Sequence, residues 1–214
     1  MEADVFYCIA SNCKDFQQEK LEIRFPKINW NSIFNYEDEK IRKNKIIARL
    51  LLNKVGKEFY GIENLLEKTS FYSGGKPTST NSNLHFSWTH DEILIVLAIS
   101  RTAQVGIDVA YVNEIDIGLM DDYLSLEEKD WVKNSKSPLQ TFYKIWTRKE
   151  ALLKALGKGI SDVCLNEIDT TRNCIEFSKN KVFLYDLKFK ENYQLTLATL
   201  QHETQIKLYP EICL

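Results

Sequence analysis

The chain has 214 residues, and 28 lysines and arginines against 30 aspartates and glutamates give a formal net charge of −2. With 44% hydrophobic residues, 8 glycines and 4 prolines, it is excluded from the collagen-like, linker-like and disordered classes. The near-neutral balance argues against general nucleic-acid binding, which wants a basic surface.

No window approaches about 18 uninterrupted apolar residues, so no membrane span is expected. The acidic start, Met1-Glu-Ala-Asp4, is unlike a signal peptide. Five cysteines, at 8, 13, 164, 174 and 213, form no C-x-x-C pair. They read as reduced thiols of a cytoplasmic protein, not as a disulfide frame or zinc site.

Taken in chain order, residues 37–60 read as a helix, with apolar Ile41, Ile46/Ile47 and Leu50/Leu51 at helical spacing. From Lys40 to Lys57 this helix carries seven basic residues and no acid. Ser73-Gly-Gly-Lys-Pro77 marks a turn presenting Lys76; it is not a P-loop, because Pro77 replaces the Ser/Thr after the lysine. Residues 84–88 and 93–99 read as strands, the second buried on both faces. Val105–Val112 reads as another strand. An acidic stretch runs from Glu114 to Asp130. Residues 125–134 form a short helix, and Ser137-Pro138 starts a longer one ending near Leu156, with Gly157 as its stop. Strands follow near 174–178, 181–188 and 193–200.

The halves echo one another. Arg49 precedes Val96 by 47 residues, and Glu150 precedes Leu197 by the same interval. The echo hints at duplication, two similar α/β halves joined near residues 101–104 with a ligand cleft between them, although residue identity does not repeat and chance gives the same interval.

Two segments carry chemistry. On the strand 105–112, alternation puts Gly106, Asp108 and Ala110 on one face, so a single acid stands between two very small residues. On the helix 138–156, Phe142, Ile145, Trp146, Leu152, Leu153 and Leu156 form an apolar stripe. Lys149 falls in its middle, and Glu150 and Lys154 lie along its edge at i, i+4. A lysine there requires an anionic partner or a route to water. By spacing alone, Asp108 equally suits a turn cap, Glu150 and Lys154 a surface ion pair, and His85 and His90 structural histidines.

Together the segments Gly75-Lys-Pro77, Phe86-Ser-Trp-Thr-His90, Val105-Gly-Ile-Asp-Val109 and Trp146-Thr-Arg-Lys-Glu-Ala-Leu-Leu-Lys-Ala-Leu-Gly-Lys-Gly159 resemble, in order, those of 4′-phosphopantetheinyl transferases of the surfactin-synthetase (Sfp) type, in the Trp/Lys-Glu-Ala branch. The resemblance covers roughly residues 40–160. It implies transfer of the phosphopantetheine arm of coenzyme A to a serine of an apo acyl or peptidyl carrier protein, with Mg²⁺ as cofactor and adenosine 3′,5′-bisphosphate as the leaving product. It implies an α+β fold, a pseudo-dimer of two similar α/β halves, 1–102 and 103–214, with CoA and the active site between them, and so a monomer in solution.

Carried over, Asp108 and Glu150 become the metal carboxylates, Lys154 the pyrophosphate contact, and Glu150 also the base for the carrier serine. Lys76, Thr89 and His90 fall near the CoA 3′-phosphate and adenine, and Arg49 matches a phosphate-contacting arginine. Lys149 falls on the cofactor side as a positioning residue. Two departures are Thr89, where Ser is usual, and Ala110, where many members have a third acid. With Ala110 the metal is expected to have two protein carboxylates. The basic 40–57 helix and Arg148 or Lys158 are expected to steer an acidic carrier. The competing readings are a catalytically idle CoA- or nucleotide-binding module and a Mg²⁺-dependent phosphohydrolase or nuclease.

Overall fold

The computed structural model describes residues 2–13, 16–70, 76–80, 83–202 and 205–214. In chain order the elements are β1 (Glu2–Ile9), α1 (Gln18–Arg24), α2 (Asn31–Phe34), α3 (Glu39–Tyr60), the short β2 (Thr69–Ser70) and β3 (Thr78–Ser79), then β4 (His85–Asp91) and β5 (Leu94–Ser100). The second half follows with β6 (Val105–Tyr111), α4 (Leu126–Asn134), α5 (Pro138–Leu156), β7 (Cys174–Phe177), β8 (Asn180–Asp186), β9 (Tyr193–Thr199) and β10 (Gln205–Leu208). The expected elements fall within a few residues of these. The fold is mixed α+β, as expected. No helix among the described residues is long and apolar enough to cross a membrane.

Two four-stranded sheets carry the chain, ordered β10-β1-β5-β4 and β6-β9-β8-β7. Their connectivity is the same. In each, a strand leads toward a long helix, and a later hairpin returns so that its last strand pairs with the first: β1-β5-β4 around α3, and β6-β9-β8 around α5. Val96 pairs with Tyr7, and Leu197 with Ile107, so the residues of the 47-residue echo sit on equivalent strands.

Strand alternation builds the layers. On the first sheet Phe6, Cys8, Ile95, Leu97 and Ile99 pack beneath Ile47, Leu51, Leu52 and Val55 of α3. The opposite face, with Ala3, Val5, Leu94, Val96 and Ala98, meets Val105, Ile107, Val109, Leu195 and Leu197 of the second sheet. The far face of the second sheet, with Val182, Leu184 and Ala198, meets Ala151, Leu152 and Ala155 of α5. The order is helix, sheet, sheet, helix.

Local signals hold both long helices. Asp38 caps α3 through a bond from Ile41 N, and Gly61 closes it at φ 68. Pro138 opens α5 and Gly157, again at φ 68, ends it. Lys158 N donates to Leu153 O at 2.9 Å beyond that glycine.

Edge strands β4 and β6 face each other across the join. An edge strand leaves outward backbone groups without ladder partners, and here β4 side chains take two of them. Ser87 Oγ accepts from Ile107 N at 3.3 Å, and the Asp91 carboxylate accepts from Tyr111 N. Beyond β10 the chain runs along β1, with Tyr209 N bonded to Val5 O and Ile212 N to Tyr7 O. The last ten residues thus lie on the first sheet, although a division at 102/103 assigns them to the second half.

Arg148 differs from its expected surface role. It is 3% exposed and its guanidinium bonds the Asp186 carboxylate, Asn173 Oδ1 and Thr170 O. A buried guanidinium held by so many acceptors is not available to steer a partner.

Candidate active site

A cleft of about 510 Å³ opens where β4 and β6 meet α5. Its first wall is Trp88, Thr89, His90 and Asp91 of β4. The second is Asp108 to Tyr111 of β6, and the third Tyr143, Trp146, Glu150 and Lys154 of α5. The third set sits at i, i+3, i+7 and i+11, one face of a helix.

Gly106 lets α5 come this close. A Cβ there would lie 2.0 Å from Ala151 O and 2.4 Å from Ala155 N, both backbone atoms. Only glycine permits that approach. Asp108, two residues on along the same strand face, is thereby brought against the helix edge.

Asp108 is 6% exposed. Its Oδ1 accepts from Lys154 Nζ at 2.6 Å and from Thr89 Oγ1 at 2.9 Å. One carboxylate oxygen therefore joins the second helix to the first sheet. Glu150 is half-buried beside it. Burial raises its pKa, Asp108 raises it further, and Lys154 works in the opposite direction. His90 stands at the mouth. Its enclosure in the cleft, followed by the charges of Lys45 and Lys154, holds its imidazole below the usual range, so it is neutral at pH 7.

The structure thus brings together Asp108, Glu150, Lys154, Thr89 and His90. Three other expected residues lie elsewhere. Lys149 is 1% exposed and its ammonium contacts Glu128 at 2.7 Å, turned away from the cleft lining. The lysine in the apolar stripe has found the anionic partner its burial requires. Arg49 lines a separate pocket of about 300 Å³ with Lys27, Ser32, Glu67 and Thr69. Its guanidinium stands 5.9 Å from the ring of Trp88, which does line the cleft, and burial pushes its pKa down to about 10. Lys76 donates to Val105 O at 2.6 Å and Gln104 Oε1 at 3.0 Å, at the crossing between the halves. Burial pushes its pKa down to about 8. The glycines of its turn, Gly74 and Gly75, lie outside the described residues.

The lining also includes Asp91, the acid nearest in sequence to Thr89 and His90, and Trp88, Asn113 and Tyr143, which sequence reasoning did not single out. Tyr143 was within reach, being one turn before Trp146 on the face that carries Glu150.

Among the described residues no three His, Cys, Asp or Glu side chains converge as a metal cluster. The carboxylates expected to hold a metal, Asp108 and Glu150, line the cleft together with Asp91, and Ala110 offers no oxygen. Two carboxylates suit Mg²⁺, which keeps several waters and shares substrate phosphate oxygens. The upward push of Asp108 on Glu150 is the repulsion that a cation between them would relieve.

Residues 104–206 match the model of the 4′-phosphopantetheinyl transferase superfamily. Over 208 residues the chain is 27% identical to the 4′-phosphopantetheinyl transferase gsp of Aneurinibacillus migulanus, covering 85% of this chain and 86% of that protein. It is 29% identical over 141 residues to the 4′-phosphopantetheinyl transferase HetI of Nostoc sp., covering 60% and 56%. To the L-aminoadipate-semialdehyde dehydrogenase-phosphopantetheinyl transferase of Xenopus laevis it is 27% identical over 188 residues, covering 78% and 62%.

Proposed function

We propose, from the premise that the chain's matched C-terminal half belongs to the 4′-phosphopantetheinyl transferase superfamily and that the chain is a transferase, that it moves the 4′-phosphopantetheine arm of CoA to a serine of an apo acyl or peptidyl carrier protein. The observation that carries this reading is the meeting of Asp108, Glu150 and Lys154 in one cleft whose opposite wall holds Thr89 and His90. In this reading residues 1–102 hold the nucleotide end of CoA and residues 103–214 carry the chemistry. The protein works as a monomer in the cytoplasm.

The carrier serine hydroxyl attacks the β-phosphorus of CoA. A new P–O bond forms to serine, and the bond to the bridging pyrophosphate oxygen breaks, releasing adenosine 3′,5′-bisphosphate. Glu150 accepts the hydroxyl proton; its raised pKa makes it a better base than an ordinary surface carboxylate. Lys154 neutralises charge on the phosphates, and positioning with electrostatic stabilisation supplies most of the rate. Asp108 and Glu150 are the residues that would hold Mg²⁺, which when bound supplies further neutralisation of the pyrophosphate. Thr89 fixes Asp108, and neutral His90 can hydrogen-bond the nucleotide.

The deciding experiment incubates the protein with CoA, Mg²⁺ and an apo carrier, then weighs the carrier. A gain of one phosphopantetheine arm, with one adenosine 3′,5′-bisphosphate released, is expected. CoA consumed with no gain in carrier mass would indicate a phosphohydrolase, and no change in either an idle binding module.

The 3′-phosphate contacts are proposed for Arg49, Lys76 and His90, with the Arg49 pocket beside Trp88 as the anchor. CoA should then bind more tightly than dephospho-CoA, and Arg49→Ala should shrink that preference about tenfold to a hundredfold, the worth of one charge-assisted bond. Calorimetric titration of both ligands checks this. An unchanged preference removes Arg49 from the site.

A further inference from the structure

Glu128 lies outside the cleft and no motif above includes it. It is 0% exposed, a carboxylate with no access to water. A group of that kind is retained only where every oxygen is satisfied, and here each one is. Oε1 accepts from Thr170 N at 2.9 Å and Thr170 Oγ1 at 2.7 Å. Oε2 accepts from Ser125 N at 2.9 Å and lies 2.7 Å from Lys149 Nζ. Lys149 completes the set by donating to Leu165 O at 2.6 Å and to Ile168 O.

The network therefore ties three separate pieces of chain to one point. Glu128 stands in the first turn of α4, where it also closes the capping box with Ser125. Lys149 is in the middle of α5. Thr170, Leu165 and Ile168 belong to the segment that crosses from α5 toward β7. In sequence Lys149 immediately precedes Glu150, and on a helix neighbours point about 100° apart. Fixing the ammonium of Lys149 on the core side therefore fixes the direction in which Glu150 leaves the same turn.

We propose that Glu128 and Lys149 are a positioning pair that sets the rotation of α5 about its axis, so that Glu150 and Lys154 face Asp108 at the distance transfer requires. Gly106 sets how close the helix lies, whereas the buried pair sets how it is turned. An apolar stripe alone tolerates some rotation, because one aliphatic contact replaces another at small cost. An ammonium with three fixed acceptors does not. The proposal rests on the transferase reading above.

The test uses the full-length protein and three variants: Lys149→Arg, Lys149→Met, and the double variant Lys149→Met/Glu128→Gln. The double variant removes both buried charges, so it avoids stranding one, the outcome that most damages a fold. Melting temperature, CoA affinity and carrier-transfer kinetics are read for each. Lys149→Arg keeps the charge but cannot place a compact ammonium among the three acceptors. It serves as the second foldable variant.

The expected result is that the folded double variant and Lys149→Arg lose about 10- to 100-fold in kcat, the scale of a misplacement near 1 Å, and a smaller factor in CoA affinity, since Lys154 turns with the helix. A purely structural pair predicts instead a kcat that follows the folded fraction. Wild-type kcat in either folded variant overturns the proposal. Failure of the transferase reading gives a different signature, since the unmodified protein would then transfer nothing to any carrier tested.

Discussion

Turnover by Glu150→Gln should fall by at least about 10²–10⁴-fold, the contribution of a positioned general base, while the protein melts at or above the wild-type temperature. Glutamine keeps the shape of the side chain and removes the proton acceptor. Stability is expected to hold because Glu150 is a half-buried carboxylate whose ionised form is opposed by burial and by Asp108, while Lys154 favours it without reversing the upward shift. A neutral amide relieves that cost. Loss of one of the two metal carboxylates should add to the kinetic effect. The measurement is single-turnover transfer to an apo carrier at saturating Mg²⁺, beside a thermal melt. Near wild-type transfer would remove Glu150 both as base and as metal ligand.

Among the described glycines, Gly106 is the one where an added methyl group (Gly106→Ala) should do the most damage. The added Cβ would sit 2.0 Å from Ala151 O and 2.4 Å from Ala155 N. Both are backbone atoms of α5, so no side-chain rotation relieves the clash and the helix itself must move. Overpacking of this kind costs about 1–3 kcal/mol, occasionally more. The gain from replacing a strand glycine, about 0.5–1 kcal/mol, does not offset it. The retreat of α5 also carries Glu150 and Lys154 away from Asp108, breaking the 2.6 Å contact of Lys154. Turnover should therefore fall about 100-fold even in the fraction that remains folded. Urea denaturation and transfer kinetics on the same preparation separate the two losses. Unchanged values in both would mean that α5 packs on β6 with slack.

Much of this site was legible in one sequence because its residues are set by local periods. Alternation along Val105–Val112 put Asp108 between Gly106 and Ala110 on one face, and that face is the one that meets α5. Helical spacing put Glu150 and Lys154 on one edge, and both line the cleft. The start and stop of α5 could be read for a related reason, since Pro138 and Gly157 act within a few residues of where they stand. The requirement for an anion beside Lys149 followed from the cost of burying a bare charge.

Long-range pairing was not legible. β1 and β10 went unassigned, although β1 is central to its sheet and lies parallel to β10 more than two hundred residues later. Nothing in either segment specifies that partner. The identity of the Lys149 anion, 21 residues away on α4, depends on how two helices and a loop pack. Arg148 illustrates the same limit: it has the charge expected of a partner contact, but where a long side chain ends depends on the surface above its Cα. By itself the sequence determined most of the elements and the face each candidate residue occupies, because dihedral periodicity is local; it was the family resemblance, not the spacing, that singled out Asp108, Glu150 and Lys154. The tertiary structure decided which faces meet, that Glu128 and not the cleft receives Lys149, and that α5 lies on Gly106, because packing joins residues that share no sequence neighbourhood.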